Sequence, residues 1–320
     1  MQTVFVTGAE GFAGTYVFDH LRQTGYEAVA GVRNRARKLA YERQNCKAIV
    51  CDVTDAINVA HAIASVRPSA VIHLAGLSRP EEAAADPLLG YQSIVTAWAN
   101  VLDGVRRAVP RARIVMASAC DVYGDSGQEG RPVNEATASH PITTFGSLKR
   151  TAESIAHTFY RDYHLNITIA RPFHYLGARQ PERFFFGAVA RRLANCAASD
   201  GGNRLSLPDL SCRRDLLHVQ DVATAYERLL TDGRPNETYN ICSGQAVTCR
   251  EVVELMAAEF GLEVELAEDP PAVDAPRTAL VCGDSSKLRS ELHWQPTHSL
   301  AEAVRDLAES CRAAQPALAR

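Results

Sequence analysis

Residues 1–34 read MQTVFVTGAEGFAGTYVFDHLRQTGYEAVAGVRN, and the order of residue types in this stretch decides the fold. Val4, Phe5 and Val6 make a short apolar run. Thr7-Gly8-Ala9-Glu10-Gly11-Phe12-Ala13-Gly14 supplies three glycines, and Val17, Phe18 and Leu21 then recur at helical spacing before a second apolar run ends at Val32. The order is strand, glycine turn, amphipathic helix, strand, which is the first βαβ unit of a doubly wound sheet. Further short apolar segments at 47–51, 70–75, 112–118 and 166–171 alternate with helix-like segments. That rhythm predicts parallel strands joined by right-handed crossovers.

After about residue 175 the rhythm breaks. A Gly-, Arg- and Pro-containing region spans 176–215, followed by a helix near 219–232, a strand at 237–242 and a helix near 248–260. The expected fold class is α/β, a Rossmann-type doubly wound parallel sheet with a smaller α/β C-terminal substrate domain. Residues 1–172 are expected to form the dinucleotide-binding domain, with a segment near 215–242 as an optional addition, and residues 173–320 mainly the substrate domain. No long linker separates the two, so a cleft between them is the expected site.

Composition narrows the function classes. Of 320 residues, 46% are hydrophobic and 22% charged, enough apolar surface for one large or two modest cores. Lys plus Arg number 34 against 37 Asp plus Glu, a formal charge of -3, so no basic field collects nucleic acid. The nine cysteines, with no CxxC pair, argue against a disulfide framework or a structural zinc site, and no metal site is expected. No run approaches the roughly 18 apolar residues of a bilayer span, and the chain starts directly on its first strand. A reduced, cytoplasmic protein with no membrane partner is the expectation.

The glycine turn follows a strand and opens a helix. Gly8 and Gly11 allow close backbone approach of a pyrophosphate, which then faces the unpaired N–H groups of the helix N-terminus. The end of the second strand, Gly31-Val32-Arg33-Asn34-Arg35, has no carboxylate to bond an NAD ribose and two arginines to meet a 2′-phosphate, so NADP is expected over NAD. Asp52-Val53, after the third strand, is placed to hold the adenine edge, although an Asp there also serves as a helix cap.

These motifs, with His73-Leu74-Ala75-Gly76, Tyr123-Gly124, Lys149, Arg171-Pro172-Phe173-His174, the run Arg213 to Val222, Tyr239-Asn240-Ile241 and Trp294-Gln295-Pro296, resemble those of the extended short-chain dehydrogenase/reductases. Nearly the whole chain takes part. Within that family the likeness is greatest to the GDP-mannose 4,6-dehydratases and GDP-4-keto-6-deoxymannose reductases. The resemblance implies a cytoplasmic homodimer acting on a nucleotide sugar, with hydride exchange at sugar C4. It adds Phe12, Ala13, Leu74, Ala75, Gly76, Lys149 and Pro172 to the cofactor contacts. It places His174, Arg179, Arg183 and Arg214 at the substrate, where planar guanidinium groups can grip a diphosphate. Phe184, Phe185 and Phe186 are expected in the core of the smaller domain, His73 against the cofactor loop, and His218 as a satisfied structural histidine.

The chain departs from the family at the reacting centre. Family members place a Tyr four residues before the Lys, on the same helical face. Phe145 stands there, and Ala119 replaces the Ser or Thr four residues before Tyr123. Each change removes one hydroxyl, and a placed proton donor is worth about 10²–10⁴ in rate. Three readings stay open: a deliberate change that traps a ligand, a natural relative that binds without reacting, or other groups in the missing roles. Ser118, Cys120, Asp121, Tyr123 and His174 are the candidates for the third. The related dehydratases carry an acid where Asp121 stands, and there it removes a C5 proton. Lys149, Phe145, Ala119, Asp121 and Cys120 therefore define the expected catalytic centre.

Overall fold

Apolar strand segments flanked by helices build a seven-stranded parallel sheet in the computed structural model, which describes residues 2–126, 131–198, 204–208, 210–269 and 280–314. The first half runs β1 (Thr3–Thr7), α1 (Phe12–Gln23), β2 (Glu27–Val32), α2 (Arg35–Arg43), β3 (Lys47–Val50), α3 (Ala56–Val66), β4 (Ala70–His73), the short helices α4 (Pro80–Ala85) and α5 (Pro87–Tyr91), α6 (Ala97–Ala108) and β5 (Arg113–Ala117). A 3-10 turn at Cys120–Val122 leads on to α7 (Thr144–Tyr163) and β6 (Asn166–Pro172). The remainder is β7 (His174–Leu176), α8 (Phe185–Ala197), β8 (Arg204–Leu207), β9 (Arg213–His218), α9 (Val219–Asp232), β10 (Thr238–Ile241), β11 (Ala246–Thr248), α10 (Cys249–Glu259), β12 (Glu265–Glu268), β13 (Leu280–Val281), α11 (Ser286–Leu292) and α12 (Leu300–Ala313).

The sheet order is β10-β6-β5-β4-β1-β2-β3, the doubly wound order with one added edge strand. The direction of winding reverses between β1 and β4, so the switch-point crevice opens beyond Thr7 and His73, which pair in register. Two apolar layers cover the sheet. One joins Val17, Phe18 and Leu21 of α1 to Val222, Tyr226 and Leu229 of α9; the other joins Val59 and Ile63 of α3, Val101 and Leu102 of α6 and Phe145 and Ala152 of α7. Thus α9 and β10 return to the central body late in the chain. The smaller layer packs α8, α10 and α12 through Leu193, Met256 and Leu307. Among the described residues no helix is long and apolar enough to cross a membrane.

Buried carboxylates fasten these layers. Asp215 accepts the backbone N–H groups of Ser243, Gly244 and Gly283 at 2.8, 3.0 and 3.1 Å. Asp221 accepts from the Thr297 and His298 backbones at 3.1 and 3.0 Å, which joins α9 to the approach to α12. Glu153 on α7 takes a two-pronged bond from Arg171 on β6, Nε at 2.9 Å and Nη2 at 2.7 Å, with both side chains buried. Removing one member of such a pair strands a charge in a dry interior. Glu153→Gln is therefore expected to cost about 3–5 kcal/mol of stability, read from urea unfolding; a loss below about 1 kcal/mol, as for an exposed pair, would contradict the pair's placement.

Candidate active site

The glycine turn fits a dinucleotide by its shape. Gly8 has φ +72°, and a Cβ there would stand 2.6 Å from the Ala75 nitrogen; a Cβ on Gly14 would stand 2.0 Å from the Gly8 carbonyl oxygen. The turn therefore lies flat against the Leu74-Ala75-Gly76 segment. Gly11 caps α1 in an extended conformation with no side-chain hydrogen bond, leaving the helix N-terminus open to an anion. Beyond β2, Arg33 and Arg35 are exposed. Asn34 is used locally, since its side chain accepts the Arg37 N–H at 3.0 Å and caps α2. Asp52 closes its own turn on Thr54, at 3.0 Å to the backbone nitrogen and 2.7 Å to the hydroxyl, and the cap of α3 is Asp55.

Across the crevice, Lys149 points into the sheet from α7 with only 7% of its surface exposed. Its ammonium donates to the Ala117 carbonyl at 2.8 Å and stands 5.6 Å from the centre of the Phe145 ring. Burial lowers its pKa to about 8, against the opposing pull of Asp121 and Glu153. The helix can seat this closely because residue 146 is glycine: a Cβ there would come within 2.4 Å of the Asp121 carbonyl oxygen. Phe145 and Ala119 are both buried, and the Ser118 hydroxyl beside them is buried without a hydrogen-bond partner.

Asp121 and Cys120 share the 3-10 turn, with the thiol sulfur 3.9 Å from Asp121 Oδ2. Burial raises the Asp121 carboxyl above its usual range, while Arg214 and Lys149 pull it back. The Cys120 thiol is pushed well up by burial and by Asp121, which leaves it a poor nucleophile. His174 is held down to about 3 by burial and by Arg214, and its Nδ1 is buried without a partner. The charge of Arg214 on β9 thus acts on Cys120, Asp121 and His174 together, which come from distant stretches of chain.

The other substrate candidates do not converge on that cluster. Arg179, at φ +63°, lays its guanidinium 5.4 Å over the Tyr16 ring and gives its backbone N–H to Ser310. Arg183 lies 5.0 Å from the centre of the Phe184 ring, and its carbonyl accepts from Arg79. The phenylalanine run divides: Phe186 is buried in the smaller core and Phe185 packs against it, but Phe184 does not. As the extended cap residue of α8, Phe184 turns off the helix's buried face and sits 6.4 Å from Phe12. Phe12 in turn stacks on Tyr175 at 5.8 Å. Sequence reasoning missed this aromatic bridge over the glycine turn, and the only signal for Tyr175 was its place directly after His174.

Tyr123 drops out as a substitute proton donor. It is fully buried, donates to Asn240 Oδ1 at 2.7 Å and accepts from Arg171 Nη1 at 3.0 Å, so its hydroxyl is already committed. His73 bonds Thr7 Oγ1 through Nδ1 at 2.6 Å, and its Nε2 is buried without a partner. His218 is satisfied by Gln220 N and Asp306. A separate open groove of about 700 Å³ runs along Asn134–Ser139, Arg150, His157 and Lys287 and contains none of these candidates.

With this geometry in view, the family profile described as GDP-mannose 4,6 dehydratase matches residues 5–307. The chain belongs to that family, among the extended short-chain dehydrogenase/reductases. GDP-6-deoxy-D-mannose reductase of Pseudomonas aeruginosa is 32% identical over 238 residues, 74% of this chain and 78% of the relative. dTDP-glucose 4,6-dehydratase of Mycolicibacterium smegmatis is 29% identical over 94% of this chain and 90% of its own. The solved structure of RMD from Pseudomonas aeruginosa complexed with NADPH aligns with a TM-score of 0.85 at 27% identity, covering 98% of this chain and 99% of that one.

Burial of a neutral histidine leaves a signature in pH-dependent stability. His73 is lowered to about 3 by burial and then by Lys149, whereas an unfolded histidine protonates near 6.5. Between those values the unfolded chain binds the extra proton, so the stabilisation is complete above about pH 6.5 and is lost as pH falls, by at most about 1.4 kcal/mol per pH unit. The stability gap between the wild type and His73→Gln, from urea midpoints at pH 7 and pH 5, is expected to shrink at pH 5. A gap independent of pH would contradict a neutral, enclosed imidazole.

Proposed function

We propose that this protein is an NADP-dependent nucleotide-sugar oxidoreductase that reduces the C4 ketone of a 6-deoxyhexose carried on GDP. The observation that carries the reading is the 32% identity to a GDP-6-deoxy-D-mannose reductase over three quarters of the chain. The NADPH complex of a 27% identical protein supports the cofactor, as does a β2 terminus that offers Arg33 and Arg35 and no carboxylate. The nicotinamide supplies the hydride. In this reading Gly8, Gly11, Phe12 and Ala13 receive the pyrophosphate, Arg33 and Arg35 the 2′-phosphate, and Lys149 the nicotinamide ribose. Arg214 grips the sugar diphosphate while His174 offers an unprotonated imidazole to the sugar.

A 4,6-dehydratase is the second reading. It is favoured by Asp121, a half-buried acid with a raised pKa in the turn after β5 that could remove a C5 proton, and by the 29% identical dTDP-glucose 4,6-dehydratase.

Purified protein given GDP-4-keto-6-deoxymannose and NADPH is expected to form one NADP⁺ per sugar reduced, with NADPH favoured over NADH by about 2 kcal/mol or roughly 30-fold, from charge-assisted bonds to the 2′-phosphate. Spectrophotometric turnover and calorimetric affinities read both. Conversion of a GDP-hexose to its 4-keto-6-deoxy form with no net NADP⁺ would establish the dehydratase instead, and equal affinities would remove the NADP assignment.

A further inference from the structure

Phe145 and Ala119 leave the reacting oxygen without either hydroxyl, yet both side chains, with Ser118 and Lys149, stay buried. Beside the Phe145 ring stands a cationic donor, the Lys149 ammonium. Lys149 is buried, sits 5.6 Å from the centre of the ring that replaces the phenol, and among the described residues has the Ala117 carbonyl as its one hydrogen-bond acceptor. Two of its three N–H groups therefore remain for a ligand.

We propose that Lys149 is the proton donor to the carbonyl oxygen in this protein, and that Asp121, seated beside it by the Gly146 close approach, keeps it charged. The inference rests on the reductase reading above. As the carbonyl carbon takes the hydride, the C=O π pair moves to oxygen and accepts a proton from the Lys149 ammonium. The ketone is reduced to a secondary alcohol and the nicotinamide is oxidised. Neutral Lys149 then regains a proton from solvent, past the partly exposed Asp121. A lysine is suited to this only in such surroundings, because an acid works best with a pKa near the operating pH. Burial brings Lys149 to about 8 from the 10.5 of an ordinary lysine.

The charges around the pair are few. Asp121 and Glu153 face Lys149 and favour its ammonium. His73 meets it from the end of β4 as a neutral imidazole. Arg214 on β9 and Glu81 on α4 also act on Asp121, with opposite signs. Asp121 is thus a positioning residue, acting on the substrate through Lys149.

Two readouts test this. The first needs no turnover: ¹⁵N-lysine side-chain NMR of the cofactor-free protein should place the Lys149 titration near pH 8, and Asp121→Asn should move it lower because a stabilising carboxylate is lost. The second is the pH profile of kcat/KM for ketone reduction. It should fall above about pH 8 as the ammonium disappears, and its falling limb should move down in Asp121→Asn. Lys149→Ala should lose on the order of 10²-fold or more and recover part of it with added methylamine, which a role confined to holding the ribose does not give.

A Lys149 titration at an ordinary lysine value, or steady turnover with a flat profile from pH 7 to 9 and no amine rescue, would overturn the proposal while leaving the reductase reading intact. No ketone reduction at any pH, with Lys149 titrating near 8, would overturn the reductase reading and this step with it.

Discussion

A buried ammonium is the constraint on which the site depends. Lys149 gives up most of its hydration, and the protein offsets that loss with the Ala117 carbonyl and two carboxylates in its neighbourhood. Holding the charge there requires α7 to lie against the turn after β5, and Gly146 permits that approach. It also requires α7 to be fixed along its length. The Glu153–Arg171 pair does this, and Arg171 passes the restraint to Tyr123 and on to Asn240 of β10. β10, the last strand to join the seven-stranded sheet, is therefore part of what holds the region around the Cys120–Asp121 turn in place.

The two lobes meet through devices that resemble site residues but bind the protein to itself. Asp215 and Asp221 belong to the stretch by which the family is recognised, and each is spent on backbone N–H groups of a distant segment. Their burial fixes β9, and with it Arg214 opposite the Cys120–Asp121 turn. Tyr175 and Phe184, from the second half of the chain, pack on Phe12 at the glycine turn.

Much of the sheet was legible because strands buried on both faces are written as short apolar runs, and 47–51, 70–75, 112–118 and 166–171 all became β-strands. The glycine turn was legible because Gly8 and Gly14 answer to local backbone geometry. Relations between distant segments were not. Nothing near Arg179 or Arg183 says that they turn to Tyr16 and Phe184, while of the three arginines Arg214 is the one whose charge acts on Asp121. Tyr123 looked available until Asn240 and Arg171 were found on its hydroxyl. Phe184 reads as core by composition, and only its position as the extended cap of α8 turns it away.

Two missing hydroxyls separate this site from its family pattern, and what stands beside them is a buried lysine held by the Ala117 carbonyl. The claim that unites fold and chemistry is that the site still delivers a hydride to sugar C4. The most direct measurement uses NADPH deuterated at the nicotinamide C4 with GDP-4-keto-6-deoxymannose, followed by mass spectrometry and proton NMR of the sugar. The account predicts one deuterium retained at sugar C4 for each NADP⁺ formed. Sugar recovered as the unlabelled ketone, from protein that binds both ligands, would contradict it.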